Sequence, residues 1–313
     1  MNTLAIVLRA PGELSLDKVA LTPVGESDVV VQSEFSGVST GTERLLWTGR
    51  MPAFPGMGYP LVPGYETVGR VVEAGSKSNA KIGERVFVPG ARCYTDVRGL
   101  FGADARTLIA PASRIVRVDE ALGENAILLA LAATAHHALA ARDACAPELI
   151  VGHGVLGRLL ARIAIAMGHS EPVVWECNPD RRTGASGYRV IDPADDDRRD
   201  YRSIYDVSGD ASLIDTLVSR LAPGGEIALA GFYEQSISFA FAPAFMREAR
   251  LRIAAEWKPE DMTEVRVLLA SGALSLDNLI THRSKAQNAG EAYRTAFDDP
   301  NCLKMALDWR ECA

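Results

Sequence analysis

The chain has 313 residues, room for two domains of ordinary size and for a core that needs no disulfide or metal staple. Apolar residues make up 48% and charged residues 23%, a globular balance far from disordered or fibrous compositions. Thirty-three Lys and Arg against 40 Asp and Glu leave a net charge of −7, which speaks against nucleic acid as a partner, because neutralising phosphates needs a basic surface. From the N-terminus, 4–8 reads as a strand running into a turn at Arg9 and Pro11, not as a signal peptide. Short β-type runs follow at 28–35, 67–73, 85–88 and 115–118, punctuated by Gly and Pro. Between them, 51–64 holds four prolines and three glycines, too many for any element interior, and must be a shaped loop.

After Asp119 the pattern changes. One Ala- and Leu-rich helical region is expected over 121–142. Strands at 148–151, 172–176, 188–191, 203–207, 226–230 and 250–255 then alternate with helices at 156–167, 180–186, 212–221 and 243–248. Six such strands are most simply accommodated in a doubly wound parallel sheet. A helix over 259–272, a strand at 278–282, a helix over 286–297 and a strand at 303–307 complete the chain. Residues 1–120 thus form a β-rich domain and 121–272 an α/β domain. The apolar tract 126–141 is too short to cross a bilayer and carries His136 and His137, so no membrane insertion is expected. Cys93, Cys145, Cys177, Cys302 and Cys312 are scattered and never spaced C-x-x-C, which suggests free thiols in a reducing cytoplasm.

The motif that carries chemistry is Gly152-His-Gly-Val-Leu-Gly157, a G-x-G-x-x-G directly after an apolar strand and opening a helix. In that frame Gly152 allows a tight turn, Gly154 lets the backbone approach a pyrophosphate, and Gly157 permits close packing of helix on strand. Val155 and Leu156 begin the helix whose unpaired N–H groups would face the phosphates. Glu176, 19 residues beyond Gly157, ends the next strand where an adenosine ribose belongs, which favours NAD over NADP, although Arg181 and Arg182 lie just beyond it. Ser208 and Gly231, at two later strand exits, are candidates to flank the nicotinamide and its ribose, and His153 is expected beside the cofactor.

The β-rich first part, the glycine motif in the second and the return segment with Ile280-Thr-His-Arg and Lys304 resemble the medium-chain alcohol dehydrogenase superfamily over nearly the whole chain. The resemblance implies a GroES-like catalytic domain, 1–120 completed by 273–313, beside a Rossmann NAD-binding domain, 121–272, and a homodimer joined through Rossmann sheet edges at 250–255. It also implies that Thr134 approaches the nicotinamide. The superfamily's catalytic zinc ligands are replaced here: Ser39 or Thr40 stands for the first cysteine, Tyr65 for the histidine and Ala130 near the third position. Around Arg92-Cys-Tyr there is no four-cysteine lobe for a structural zinc. Hydroxyls and a phenol bind zinc poorly, so no zinc is expected.

The run from Phe35 to Glu66, with Thr134-Ala-His-His-Ala-Leu139, resembles a zinc-free branch of the superfamily acting in bacteriochlorophyll biosynthesis. This implies a tetrapyrrole (bacteriochlorophyllide) substrate whose hydroxyethyl group is oxidised to acetyl, with hydride passing to NAD. Without a metal, a positioned base and hydrogen-bond donors must replace it. The candidates are Thr40, Tyr65, Glu66 and His136, with His137 as its neighbour; Tyr65 as a base would need a nearby cation, and Glu66 would need burial. Trp47, Met51, Phe54, Met57 and Tyr59 could offer apolar surface to a macrocycle, and Arg44, Arg50 or Arg92 could meet its carboxylate. Competing readings are a zinc-free quinone or enone reductase and a non-catalytic NAD(H) sensor.

Overall fold

The structure, a computed structural model, describes residues 1–53 and 55–312. The chain divides into two compact units, Met1–Ala130 with Leu279–Ala313, and Leu131–Asn278. In the first, Asn2–Ala10 and Glu13–Ala20 form an antiparallel hairpin. The long strand Asp28–Val38 pairs antiparallel with Thr67–Ala74, Thr107–Pro111 and Met305–Asp308. The C-terminal segment is therefore stitched by backbone hydrogen bonds into a sheet of the N-terminal part. Its helix Ala289–Asp298 buries Tyr293, Ala296 and Phe297 with Ile6, Val38 and Trp309 in one apolar cluster.

Glu13–Ala20, Thr107–Pro111 and the helix α1 (Thr42–Thr48) were not among the expected elements. The first is half-exposed along most of its length, which blurs its alternation. The seven residues of α1 sit between Gly41 and Gly49, too short a run for helical periodicity to register. The expected strand at 278–282 begins only at His282 and runs to Lys285.

The second unit is the doubly wound sheet. Its six strands are all parallel, in the order Arg189–Ile191, Val173–Trp175, Leu149–Val151, Tyr201–Asp206, Leu221–Leu229 and Arg250–Ile253. The interior strands Leu149–Val151 and Val173–Trp175 are largely buried and read as apolar runs, whereas the edge strands Arg189–Ile191 and Arg250–Ile253 stay partly exposed. Two helical expectations are corrected. Over 121–142, a 3-10 segment Glu120–Leu128 is broken at Gly123 (φ 50°, ψ −138°), and the α-helix, α2, covers only Leu129–Leu139. Over 180–186 there is a single 3-10 turn, Pro179–Arg182. The carbonyls of Arg181 and Thr183, which a longer helix would use, instead accept hydrogen bonds from buried Arg158. Among the described residues no helix is long and apolar enough to cross a membrane.

Candidate active site

In the first unit, α1 and the turn before it carry a row of hydroxyls. Thr40, Thr42 and Tyr65 are half-buried, and the Tyr65 hydroxyl donates to Ser39 Oγ at 2.8 Å. Burial and the neighbouring Glu66 carboxylate push the Tyr65 phenol up, so it stays protonated and acts as a donor. A phenolate base would need a nearby cation, and the charges that act on Tyr65 are those of the Glu66 and Glu43 carboxyls.

Behind these hydroxyls lies a sealed set of ionisable groups. Glu66 is 0% exposed and its Oε2 accepts from Lys304 Nζ at 2.6 Å, itself 1% exposed. Burial raises Glu66, and the Lys304 charge and hydrogen bond oppose that rise. Its Oε1 is buried without a hydrogen-bond partner. Asp104 sits where Gly64, at φ +93°, presents no side chain; a Cβ there would meet the Asp104 carboxyl. The Tyr293 hydroxyl lies 2.6 Å from Glu43 Oε2 and 2.7 Å from Asp104 Oδ2. Glu43 in turn accepts the Ser39 N–H at 3.0 Å. Glu43, Asp104, Tyr293 and Lys304 went unnoticed as a group in the sequence. Only the recurrence of acids beside the hydroxyl positions hinted at them.

In the second unit, the glycine turn and three other strand exits line one sheet edge. Val151 pairs with Trp175 and Asp206, and Asp206 with Leu229, so the turns at Gly152, Glu176, Ser208 and Gly231 follow from adjacent strand ends. Gly152 takes φ +103°, and Gly157 packs so tightly that a Cβ would strike the Gly152 carbonyl oxygen. Around Gly154, by contrast, a Cβ would meet nothing within 4 Å. Gly154 caps the helix α3 (Val155–Ala166) without any side-chain bond, which leaves its first N–H groups for a ligand. Glu176 is half-exposed, its two oxygens steadied by the N–H groups of His153 at 3.2 Å and Asn178 at 2.8 Å. Buried Asp206 joins the later exits: it accepts the Ser208 N–H at 2.8 Å and the Tyr233 hydroxyl at 2.8 Å. This edge has the open cradle, donors and carboxylate that a dinucleotide requires.

Several expected residues lie elsewhere. His136 is buried on α2, and both it and His137 place Nδ1 2.8 Å from one carboxylate, Asp261. Burial would raise Asp261, but the Lys258 N–H and the two imidazoles outweigh it and hold it low. Of His136, expected as a relay, the Nδ1 side is thus held by Asp261 on a largely buried ring. Thr134 is half-buried on the same helix. His153, expected beside the cofactor, is fully buried between the Arg181 carbonyl at 2.6 Å and the Tyr188 hydroxyl at 2.9 Å. Burial holds that imidazole near 4, so it stays neutral.

Trp47, Met51, Met57 and Tyr59 pack on Leu8, Leu46, Leu61 and Leu100, and Tyr59 donates to the Leu46 carbonyl. They lie partly buried against this satellite core; Phe54 lies outside the described residues. Arg44, Arg50 and Arg92 are exposed. At the superfamily's zinc positions stand Ser39 and Thr40, Tyr65 and buried Ala130, a donor set that does not suit the metal. Among the described residues no three His, Cys, Asp or Glu side chains gather as metal ligands.

The family model of the alcohol dehydrogenase GroES-like domain matches residues 25–120. The chain is 60% identical to a 2-desacetyl-2-hydroxyethyl bacteriochlorophyllide A dehydrogenase of Cereibacter sphaeroides, over 100% of both chains. It belongs to this dehydrogenase family. The family's Rhodobacter capsulatus member is 57% identical over 99% of each chain. In fold the chain is similar to an alcohol dehydrogenase of Escherichia coli solved with NADH, with a TM-score of 0.82 and 19% identity over 98% of this chain and 99% of that one. The GroES-like part and the doubly wound sheet are thus those of a medium-chain dehydrogenase, and the chain is an oxidoreductase of that family.

Proposed function

We propose that this dehydrogenase oxidises the hydroxyethyl side chain of a bacteriochlorophyllide or chlorophyllide to an acetyl group, with NAD as hydride acceptor and without zinc. The observation that carries this reading is the 60% full-length identity to a dehydrogenase named for that substrate. Gly152, Gly154, Val155, Leu156 and Gly157 would hold the pyrophosphate, Glu176 the adenosine ribose, and Ser208, Gly231 and Thr134 the nicotinamide end. NAD held there would supply the acceptor for the hydride of the carbinol carbon. Arg182, the neighbour best suited to a ribose phosphate, is committed to the carbonyls of Glu176 and Cys177 and to Asp192, which supports NAD over NADP.

At the other reacting atom, Thr40, Thr42 and Tyr65 orient the alcohol oxygen. When the alcohol binds, Tyr65, kept protonated, turns its one hydrogen from Ser39 Oγ to the alcohol oxygen, and the threonine hydroxyls pass the released proton toward solvent. Glu66 is a positioning group whose charge keeps Tyr65 a donor. The hydroxyls at the zinc positions support a metal-independent reaction, because they offer dipoles where thiolate and imidazole would offer ligands. The five free cysteines fit a cytoplasmic protein. A homodimer through the edge strand Arg250–Ile253 is supported by Ile253, 78% exposed, and by the apolar hollow of Phe241, Phe245 and Met246 beside Leu251.

The test is incubation of metal-free protein with NAD and the hydroxyethyl bacteriochlorophyllide while the Qy band is followed. A red shift with matching NADH formation is expected. Turnover that tracks added zinc would overturn the metal-free part, and activity confined to NADPH and enones would overturn the reaction itself.

A further inference from the structure

The contacts of Tyr293 contain more oxygens than protons. Its hydroxyl has one hydrogen, yet it lies 2.6 Å from Glu43 Oε2 and 2.7 Å from Asp104 Oδ2, both hydrogen-bond distances for O–H···O. If both carboxyls were ionised, one contact would press two lone-pair oxygens together with no proton between them, in a site where all three side chains are 0% exposed. A second proton must sit on one carboxyl. We propose that Glu43 carries it: a neutral carboxylic acid at neutral pH that donates to the Tyr293 oxygen, which donates onward to ionised Asp104.

The surroundings choose between the two acids. Glu43 is flanked by Asp104, Glu66, the Tyr293 hydroxyl and the Ser39 N–H, so the charges that act on it are negative. Asp104 feels the Lys304 ammonium and the hydroxyls of Tyr293 and Ser36, which offset part of the burial that lifts it to about 6. Burial and the Asp104 charge push Glu43 well up. With the proton on Oε2, Glu43 keeps Oε1 as a carbonyl that accepts the Ser39 N–H at 3.0 Å.

This gives Glu43 a task in the reaction that its position near the superfamily motif does not state. Ser39 Oγ is the acceptor of the Tyr65 hydroxyl. The order Asp104, Tyr293, Glu43, Ser39, Tyr65 therefore runs from the sealed interior to the alcohol-binding hydroxyls, and Tyr293 brings the C-terminal segment into it. Glu43 is a positioning residue: neutral, it sets the Ser39 turn without adding a charge that would oppose the negative oxygen forming as the alcohol gives up its proton.

Glu43→Gln reproduces the neutral acid, with an amide oxygen for the Ser39 N–H and an amide N–H for Tyr293. The experiment compares full-length wild type, Glu43→Gln and Glu43→Ala. Wild type should show an infrared carbonyl band of a buried carboxylic acid at neutral pH, missing from Glu43→Gln. The folded state would hold a proton that the unfolded chain releases above its ordinary carboxylate value, so wild-type stability should fall as pH rises, and Glu43→Gln should gain on it with rising pH. Turnover should fall about tenfold or more in Glu43→Ala and be rescued to within about threefold by Glu43→Gln, with dinucleotide affinity unchanged. Persistence of the acid band in Glu43→Gln would overturn the assignment. So would a Glu43→Gln protein that loses ground with rising pH or does not fold.

Discussion

Replacing Lys304 with methionine probes the sealed ion pair most directly. The ammonium lies 2.6 Å from Glu66, with both side chains almost wholly out of solvent. At an effective dielectric of ~20 the attraction at that distance is about 6 kcal/mol. Desolvation takes several kcal/mol for each ion, so the intact pair adds little net stability. Removing one partner is another matter, because the carboxylate stays buried without its counter-charge, at a cost of about 3–5 kcal/mol. The sign of the pH dependence follows. Burial already raises Glu66, and without Lys304 to oppose it the rise is larger. The variant's native state then holds a proton that its unfolded state releases, so its stability is fully present in acid and is lost as pH climbs. Urea unfolding at about pH 5 and about pH 8 should show a wild-type-to-variant gap that widens with pH. Adding Glu66→Gln should recover most of the loss. A gap under about 1 kcal/mol, the range of exposed pairs, or a gap indifferent to pH would refute the reasoning.

Tyr65→Phe removes the donor to the alcohol oxygen and should lower kcat about 100-fold with the Kd for NAD unchanged; full turnover would remove Tyr65 from the site. Glu176→Gln should weaken NAD binding about tenfold by calorimetry and narrow the preference over NADP, since hydrogen bonds to a charged acceptor contribute about 1.5–3 kcal/mol. Equal NAD affinity would mean that the ribose lies elsewhere. Gly157→Ala forces a methyl against the Gly152 carbonyl oxygen and should cost about 1–3 kcal/mol in thermal unfolding together with most dinucleotide affinity. Ile253→Lys should convert a dimer to a monomer by ultracentrifugation without unfolding the chain.

The glycine turn proposed to hold the dinucleotide was legible because its signal is local. Six residues after an apolar strand combine one positive φ, one bare stretch of backbone and one close approach, supplied by Gly152, Gly154 and Gly157 in turn. The carboxylate set was not legible, because Glu43 and Tyr293 are 250 positions apart and Glu66 and Lys304 are 238 apart. Each alone looks like an ordinary surface charge, and only the pairing of Asp28–Val38 with Met305–Asp308 brings the C-terminal segment to the acids. The loop after α1 misled for a different reason. With four prolines it has no period from which to tell inward from outward, so Met51 and Met57 read as a substrate face although they pack on the cluster of Leu46 and Leu61. The partner of His136, Asp261, was equally hidden, 125 residues away.

A site with hydroxyls at the metal positions places a particular demand on the fold. Zinc acidifies an alcohol whatever the small motions of its ligands, whereas neutral donors act only when held at the right distance from the forming negative oxygen. The hydroxyls here are held by groups they do not own: Tyr65 by Ser39, Ser39 by Glu43, Glu43 by Tyr293. Buried carboxylates alone would work against the reaction, since they repel the negative oxygen. Lys304 at Glu66 cancels one such charge, and a proton on Glu43 would cancel a second, which leaves Asp104, on the far side of Tyr293, as the remaining negative group. On this reading the C-terminal segment, source of Tyr293 and Lys304, is part of the alcohol site as much as the hydroxyl row is.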